Sequence, residues 1–315
     1  MCYQEMKKRL KIDFSKLSMP KELVKKVEVV KEFIRTNPYS RLARFDKPAG
    51  IYLVLLPALW AVAFAAHSIW AMLFYFFVMT LGAIVVRGAG CIINDLWDIE
   101  IDKKVARTKS RPLASGELRK MDAYQMLAAL GVLSLMVLLT LPKLSIFFGL
   151  LAIIPIIIYP TMKRYNYYPQ VFLGLVFNMG VFIAWFAVDP QITLMPFILY
   201  AASAIWTVCY DTIYAHQDIK DDKKAGVKSL AILLGDKTVE VVWKMYQVLA
   251  LMLLIIGLNM HMGILFYLIA AFGAYHLYWQ AETLDIKDPK SCAEKFKSNV
   301  HFGMIILAAI VIGRF

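Results

Sequence analysis

The sequence predicts an all-α fold: a polytopic membrane helical bundle of about nine transmembrane helices. Three observations carry this. Hydrophobic residues make up 60% of the 315 positions, charged residues only 18%, and mean hydropathy is +0.60. Soluble domains are usually less apolar and more charged. The apolar residues also fall in runs long enough to cross a hydrocarbon core as helices. Finally, lysine and arginine are confined to every second connection between those runs, as cytoplasm-facing loops are.

Residues 1–40 read as a basic cytoplasmic tail and 41–315 as the transmembrane domain. Within the tail, 20–36 patterns either as a basic amphipathic helix lying on the membrane or as a solvated segment. Nine apolar runs follow, at roughly 49–66, 69–93, 122–141, 144–162, 170–188, 192–213, 239–259, 261–279 and 298–313. Backbone groups in lipid must be hydrogen-bonded within their own segment, so these runs are helices. They lack the two-residue alternation of a membrane β-barrel. Gly82, Gly88, Gly90, Gly174 and Gly180 are small enough to let such helices approach closely.

A net charge of +12 would suit nucleic acid, but its placement argues against that partner. Thirteen Lys/Arg precede the first run, seven lie in 94–121, two in 163–169, five in 214–238 and four in 280–297. Lys143 stands alone in the intervening loops. Nine spans then place the N-terminus in the cytoplasm and the C-terminus outside. The tail holds Glu5, Asp13, Glu22, Glu28 and Glu32, unlike an acid-poor mitochondrial presequence, and no cleavable signal is visible. The expected location is a bacterial inner membrane, with a mitochondrial inner membrane as the alternative. Cys2, Cys91, Cys209 and Cys292 form no CxxC pair, so neither a disulfide framework nor a zinc site is suggested. Nothing in the sequence fixes an oligomeric state.

Two acid-rich segments interrupt this apolar pattern, and carboxylates at a membrane boundary mark functional sites. The first spans Asn94 to Asp102 at the end of the second run. At about 100° per residue, Asn94, Asp98 and Asp102 fall near ~0°, ~40° and ~80°, with Asp95 near ~100° and Arg87 near ~20°. The second spans Tyr210 to Asp222 at the end of the sixth run. There Asp211, Asp218 and Asp222 fall near ~0°, ~−20° and ~+20°. Asp221 and Glu100 lie off these stripes and read as solvated. Hard cations such as Mg2+ take oxygen ligands and leave positions for substrate phosphate. Two facing stripes therefore suit divalent ions on a polyphosphate, with Asn94, Asp95, Asp98 and Asp102 on one and Asp211, Asp218 and Asp222 on the other as candidate oxygen ligands.

At these residues the chain resembles the UbiA family of intramembrane aromatic prenyltransferases. Asn94, Asp95, Asp98 and Asp102 match the first family motif, and Asp218 with Asp222 match the second. Arg44-Phe45-Asp46-Lys47-Pro48, Arg87-Gly88-Ala89-Gly90-Cys91, Arg107-Thr108, Arg111-Pro112-Leu113, Tyr159-Pro160, Lys163-Arg164-Tyr165, Tyr210 to Ala215 and Lys228-Ser229 extend the likeness toward its hydroxybenzoate branch. The resemblance covers about residues 40–315. It implies Mg2+-dependent transfer of a polyprenyl group from polyprenyl diphosphate to the carbon ortho to the phenol of 4-hydroxybenzoate. Diphosphate is released, in an early membrane step of ubiquinone biosynthesis.

Each step of such a reaction finds candidates. Asn94, Asp98, Asp218 and Asp222 would clamp metal on the leaving diphosphate, with Asp95 and Asp102 as ligands or supports. Lys163 and Arg164 would bind the diphosphate directly. Lys104, Arg107, Lys109 and Arg111 form either a loop over the site or an ordinary positive-inside loop. Tyr165, Tyr210 and Tyr214 lie near enough to supply cation–π contact, although interfacial tyrosines are also common anchors. Asp211 is a candidate base. Arg44 or Arg87 would meet the acceptor carboxylate. His216 is assigned no role.

Three rival readings bear weighing. A cation-coupled transporter would place its acids near the midplane rather than at helix ends. A CDP-alcohol phosphatidyltransferase would need a Gly- and Arg-containing acidic signature absent here. A family member prenylating a naphthoate, homogentisate, haem or chlorophyll precursor is the third, against which the Tyr-Asp-Thr-x-Tyr-Ala run of 210–215 favours hydroxybenzoate. The charge asymmetry gives a topology that can be tested by single-cysteine labelling. Lys109→Cys and Lys224→Cys should label from the cytoplasmic side alone, and Lys143→Cys from the other. Labelling of Lys109→Cys and Lys143→Cys from one side breaks the nine-span topology.

Overall fold

The computed structural model describes residues 21–314, and every regular element among them is helical. The first twenty residues of the tail, with Cys2, Glu5 and Asp13, lie outside the described residues. In chain order the helices are α1 Lys21–Thr36, α2 Pro38–Leu42, α3 Ala49–Ala65, α4 Ile69–Asp102, α5 Lys120–Leu139, α6 Lys143–Ile158 and α7 Met162–Tyr165. They continue with α8 Pro169–Phe177, α9 Met179–Val188, α10 Met195–Ala215, α11 Ile219–Lys224, α12 Leu230–Leu234, α13 Thr238–Asn259, α14 Ile264–Glu282 and α15 Pro289–Ile312.

Seven stretches are long and apolar enough to span a bilayer, beginning at Ile69, Lys120, Lys143, Pro169, Met195, Leu230 and Pro289. The other two expected spans, α3 and α14, are helical but fall outside that set. For α3 the reason is its position. From Leu55 to Ala66 every residue is buried, so this 17-residue helix is a central post rather than a lipid-facing span. The lipid side is supplied by helices such as α5 and α6, whose Val132, Met136, Phe147 and Ile154 point outward. A helix apolar all round belongs in a core.

Aromatic packing fixes the post. Trp60 stacks on Trp206 of α10 at 5.0 Å between ring centroids and meets Phe302 of α15 edge-on at 6.2 Å. The two indole N–H groups, which are costly to bury without a partner, donate to the Gly303 carbonyl at 2.9 Å and to Asn299 at 2.7 Å. Gly303 is needed for that approach, because a Cβ there would sit 2.5 Å from Leu56 and 2.9 Å from Trp206.

Three local features shape the site. The second apolar run does not end near residue 93. Its helix α4 continues to Asp102, because Asp95, Asp98 and Asp102 are buried against the protein rather than released to solvent. The fifth span breaks between α8 and α9 at Asn178. The buried Asn178 amide donates to the Gly174 carbonyl at 2.7 Å and to Thr207 at 2.9 Å, satisfying a carbonyl near the break. The sixth span tightens to a 3-10 turn at His216–Asp218 before resuming as α11. A 3-10 turn rotates about 120° per residue instead of about 100°, so the uniform helical phasing of the second motif does not hold beyond Ala215.

Gly174 lies where α8 crosses α10, and a Cβ there would stand 2.8 Å from the Ala204 backbone carbonyl, which cannot move aside. Gly174→Leu should therefore lower stability by roughly 1–3 kcal/mol, read as a fall in the detergent-solubilised melting temperature. Gly131→Ala, which meets nothing within 4 Å, should leave it unchanged or raise it.

Candidate active site

The two acidic motifs meet at one end of the bundle. Three other segments reach them with positive charge. Arg44 follows α2 in a left-handed backbone conformation (φ 60°), which is unfavourable for a side chain bearing a Cβ. Its guanidinium explains the geometry, donating to both Asp95 oxygens at 2.8 Å and to the Arg41 carbonyl at 2.6 Å. Arg111, from the loop 103–119, bridges Asp95 at 3.1 Å and Asp102 at 2.7 Å. Lys163, on α7, donates to Asp98 Oδ2. Arg164 beside it donates to the Trp97 carbonyl at 2.5 Å, stacks over the Trp97 ring at 5.8 Å and lies 3.9 Å from Asp98 Oδ1.

The loop 103–119 also crosses to the second motif. Arg107 donates to Asp218 at 2.9 Å and to the Tyr214 hydroxyl at 3.0 Å, with its guanidinium 5.1 Å from that ring. Burial alone would lower the Arg107 pKa, but the Asp218 hydrogen bond and the Tyr214 and Asp218 charges raise it. Arg107 is thus a fixed positive charge. The Ala106 backbone N–H donates to Asp221 at 3.2 Å. Arg41 holds the loop from outside, donating to the Ser110 carbonyl and to Glu117, both at 3.0 Å.

A deeper layer lies beneath. Arg87 sits among Cys91, Tyr159, Tyr210 and Asp211, with its guanidinium 5.3 Å from the Phe177 ring. It forms no ion pair among the described residues, and its Nε is buried without a hydrogen-bond partner. Gly50 makes room for it, since a Cβ there would lie 2.9 Å from the guanidinium. Tyr159 reaches Asn94 at 3.4 Å and Tyr210 donates to Thr207 at 3.1 Å.

The structure therefore sorts the expected residues. Asn94, Asp98, Asp218, Asp222, Lys163, Arg164 and Tyr214 gather at the upper layer, and Arg87 and Asp211 at the lower. Asp95 and Asp102 are already held by Arg44 and Arg111, which places all four as the frame of the site. Tyr165 is not brought in: its ring is 72% exposed, and only its carbonyl is engaged, by Lys228 at 3.1 Å. Asp221, which helical phasing left outside, is turned toward the loop where the 3-10 turn shifts the register. Arg107 was left open between a loop over the site and an ordinary positive-inside loop, and Lys47 and Tyr159 stood in the family stretches without a role of their own. Lys47 lies near Arg44, Arg107 and Arg111 and makes no ion pair among the described residues. His216 is buried against Thr238 at 2.9 Å and belongs to the packing.

The UbiA prenyltransferase family model matches residues 54–306. The chain belongs to the UbiA prenyltransferase family. This UbiA member is 43% identical over 288 residues to the bovine mitochondrial 4-hydroxybenzoate polyprenyltransferase, covering 88% of this chain and 75% of that one. The human protein of the same name is 42% identical over 289 residues, with the same coverage. A 4-hydroxybenzoate geranyltransferase 1 of Lithospermum erythrorhizon is 42% identical over 288 residues, covering 88% and 91%. Among solved structures, a UbiA homolog from Aeropyrum pernix superposes with a TM-score of 0.72 at 23% identity, covering 84% and 98%. A UbiA homolog from Archaeoglobus fulgidus bound to GPP and Mg2+ gives 0.70 at 17%, covering 88% and 99%. Family membership removes the transporter and phosphatidyltransferase readings.

The Ala106–Asp221 bond ties the loop of this UbiA member to α11. Asp221→Ala should free the loop, and trypsin should cut after Arg107 or Lys109 several-fold faster than in the parent protein. Glu240→Ala, at an exposed pair with Lys244, should leave the rate alone. An unchanged rate in Asp221→Ala removes that tie.

Proposed function

We propose that this chain transfers a polyprenyl group from polyprenyl diphosphate to the carbon ortho to the phenol of 4-hydroxybenzoate, releasing diphosphate, as a step of ubiquinone biosynthesis. The names of its relatives at 42–43% identity support the substrate pair. The observation that carries the reading in this molecule is Arg87: a buried guanidinium in no ion pair among the described residues, with Nε lacking a hydrogen bond, under a layer of metal-type ligands. A small aromatic carboxylate supplies the missing charge and fits beside Phe177 and Tyr159.

Two features fit a divalent cation such as Mg2+. Asp98 Oδ1 is buried without a hydrogen-bond partner, and the available donors are all oxygen, as a hard ion requires. Among the described residues no three acidic or imidazole groups already close around one point, because Lys163 and Arg107 occupy the carboxylates. Asn94, Asp98, Asp218 and Asp222 would hold the metal once those cations turn aside. Bound there, it supplies Lewis-acid stabilisation of the leaving diphosphate.

The chain's own residues supply the rest. Lys163, Arg164 and Arg107, displaced from their carboxylates, turn to the diphosphate oxygens and stabilise the charge that grows as the allylic C–O bond breaks. Tyr214, and Tyr210 beneath it, face the prenyl cation with π-electron density. Arg87 holds the acceptor carboxylate and so aims the ring upward. Asp211, beside Arg87, accepts the ring proton after the new C–C bond forms. The polyprenyl tail stays in the bilayer, since each CH2 drawn into water costs about 0.8 kcal/mol. The names of the bovine and human relatives place those enzymes in mitochondria, which favours a mitochondrial inner membrane over a bacterial one here.

Purified protein with geranyl diphosphate, a divalent ion and a panel of aromatic acceptors tests the reading. Hydroxybenzoate should be the preferred acceptor, and EDTA should abolish turnover. Asp98→Ala and Asp218→Ala should each lower kcat by more than ~100-fold. Arg87→Ala should raise the KM for hydroxybenzoate by about 10-fold or more, whereas Arg164→Ala should act on the donor KM. A normal hydroxybenzoate KM in Arg87→Ala overturns the acceptor assignment.

A further inference from the structure

A second charged cavity lies away from the reacting layer. It measures about 550 Å³ and is lined by His276 and Trp279 of α14 and by Lys290, Glu294, Lys297 and His301 of α15. The four α15 residues recur at intervals of four, three and four, so they form one stripe facing α14. We propose that this groove binds the phosphodiester headgroup of an anionic glycerophospholipid.

Charge points to an anion. Lys290 and Lys297 line the groove with one carboxylate, Glu294, between them. Lys295, behind the groove, is only 4% exposed. Its ammonium lies 3.7 Å from the centroid of the Trp279 ring and 3.8 Å from Glu294, and it donates no hydrogen bond among the described residues. The other nearby acids are engaged with backbone: Asp288 accepts from Lys290 N and Ser291 N, and Asp285 from Lys287 N. Among the lining residues two ammonium groups thus face one carboxylate, with Lys295 behind them. His276 adds a ring with one nitrogen fixed by donation to the Ser298 carbonyl at 3.0 Å, and His301 faces it with ring centroids 6.3 Å apart.

Position points to a lipid rather than a free anion. On the far side of α15, Phe296 packs on Tyr214 at 4.4 Å, so the groove is level with the aspartate motifs at that end of the bundle. Trp279 lines it with an amphipathic ring of the kind found at a membrane interface. One turn toward the bilayer centre, the helices close at Gly273, where a Cβ would lie 3.0 Å from Ile306. Below the groove the outer surface is apolar, with Phe272 59%, Tyr275 63% and Met304 50% exposed. A ligand with its phosphate among the lysines and its chains along Phe272 and Met304 matches every part of this surface. Basic pockets between helices at the membrane interface hold anionic headgroups in this way.

Native mass spectrometry of the full chain in detergent tests the proposal. The chain is titrated with phosphatidylglycerol or phosphatidylcholine, and with phosphatidylglycerol in excess inorganic phosphate. Phosphatidylglycerol should bind about 10-fold more tightly than phosphatidylcholine, and inorganic phosphate should not displace it. The preference should fall to within about twofold in Lys290→Gln/Lys297→Gln and rise in Glu294→Gln, where the opposing carboxylate is gone. Equal binding of the two lipids, or a preference intact in the double variant, overturns the site. Displacement by inorganic phosphate overturns the lipid as its source. Should the double variant fail to fold, Glu294→Gln decides, and an unchanged preference there overturns the proposal.

Discussion

A carboxylate buried at the end of an apolar bundle needs a cation, and the site depends on meeting that need four times. Asp95, Asp98, Asp102 and Asp218 take theirs from three parts of the chain: Arg44 after α2, Lys163 on α7, and Arg111 and Arg107 of the loop 103–119. Removing one partner of a buried pair costs roughly 3–5 kcal/mol, because the other charge is left uncompensated. These pairings therefore draw α2, α7 and the loop 103–119 onto α4 and α10. Hydrophobic burial assembles the bundle around Trp60 and Trp206, but it is indifferent to which loop covers which helix end. The charge pairs settle that.

The same pairs divide into two kinds. Arg44 and Arg111 grip Asp95 with several hydrogen bonds from a frame that Arg41 and Glu117 tie down further. Lys163 hydrogen-bonds Asp98 through a single oxygen and leaves Oδ1 with no hydrogen bond, 3.9 Å from Arg164. A pair so held would yield to the metal and diphosphate of the proposed reaction more readily than the bidentate frame would. Permanent and exchangeable charges thus sit one helical turn apart on α4.

Much of this was legible in the sequence, for definite reasons. Each of the nine hydropathy runs falls on helix among the described residues, the fifth as the broken pair α8 and α9, because an apolar surrounding, lipid or core, leaves backbone groups no partners outside their own segment. The family resemblance and the phasing of α4 brought Asn94, Asp98 and Asp102 to one side because that helix is regular to its last residue. Phasing failed beyond Ala215, where three residues of 3-10 turn rotate Asp221 toward the loop; no residue at His216–Asp218 signals such tightening. Tyr165 misled because proximity in sequence to Lys163 says nothing about which way a ring points at a helix end. Arg107 was hidden by its neighbours: in a loop rich in cations, topology explains each one, and the Asp218 contact appears only in three dimensions. Arg44 and Arg87 were indistinguishable as acceptor ligands until the structure gave Arg44 a bidentate partner and left Arg87 with none.

The burial of α3 has a wider consequence. Membrane proteins adjust to thin or thick bilayers by tilting their lipid-facing helices. From Leu55 onward α3 has no lipid contact, so bilayer thickness exerts no direct pull on it. The helices that carry the second motif and its support, α10 and α15, lean on this post through Trp206 and Phe302. Mismatch is absorbed at the periphery by α5, α6 and their neighbours. The reacting groups are thereby insulated from the physical state of the membrane that holds their hydrophobic substrate.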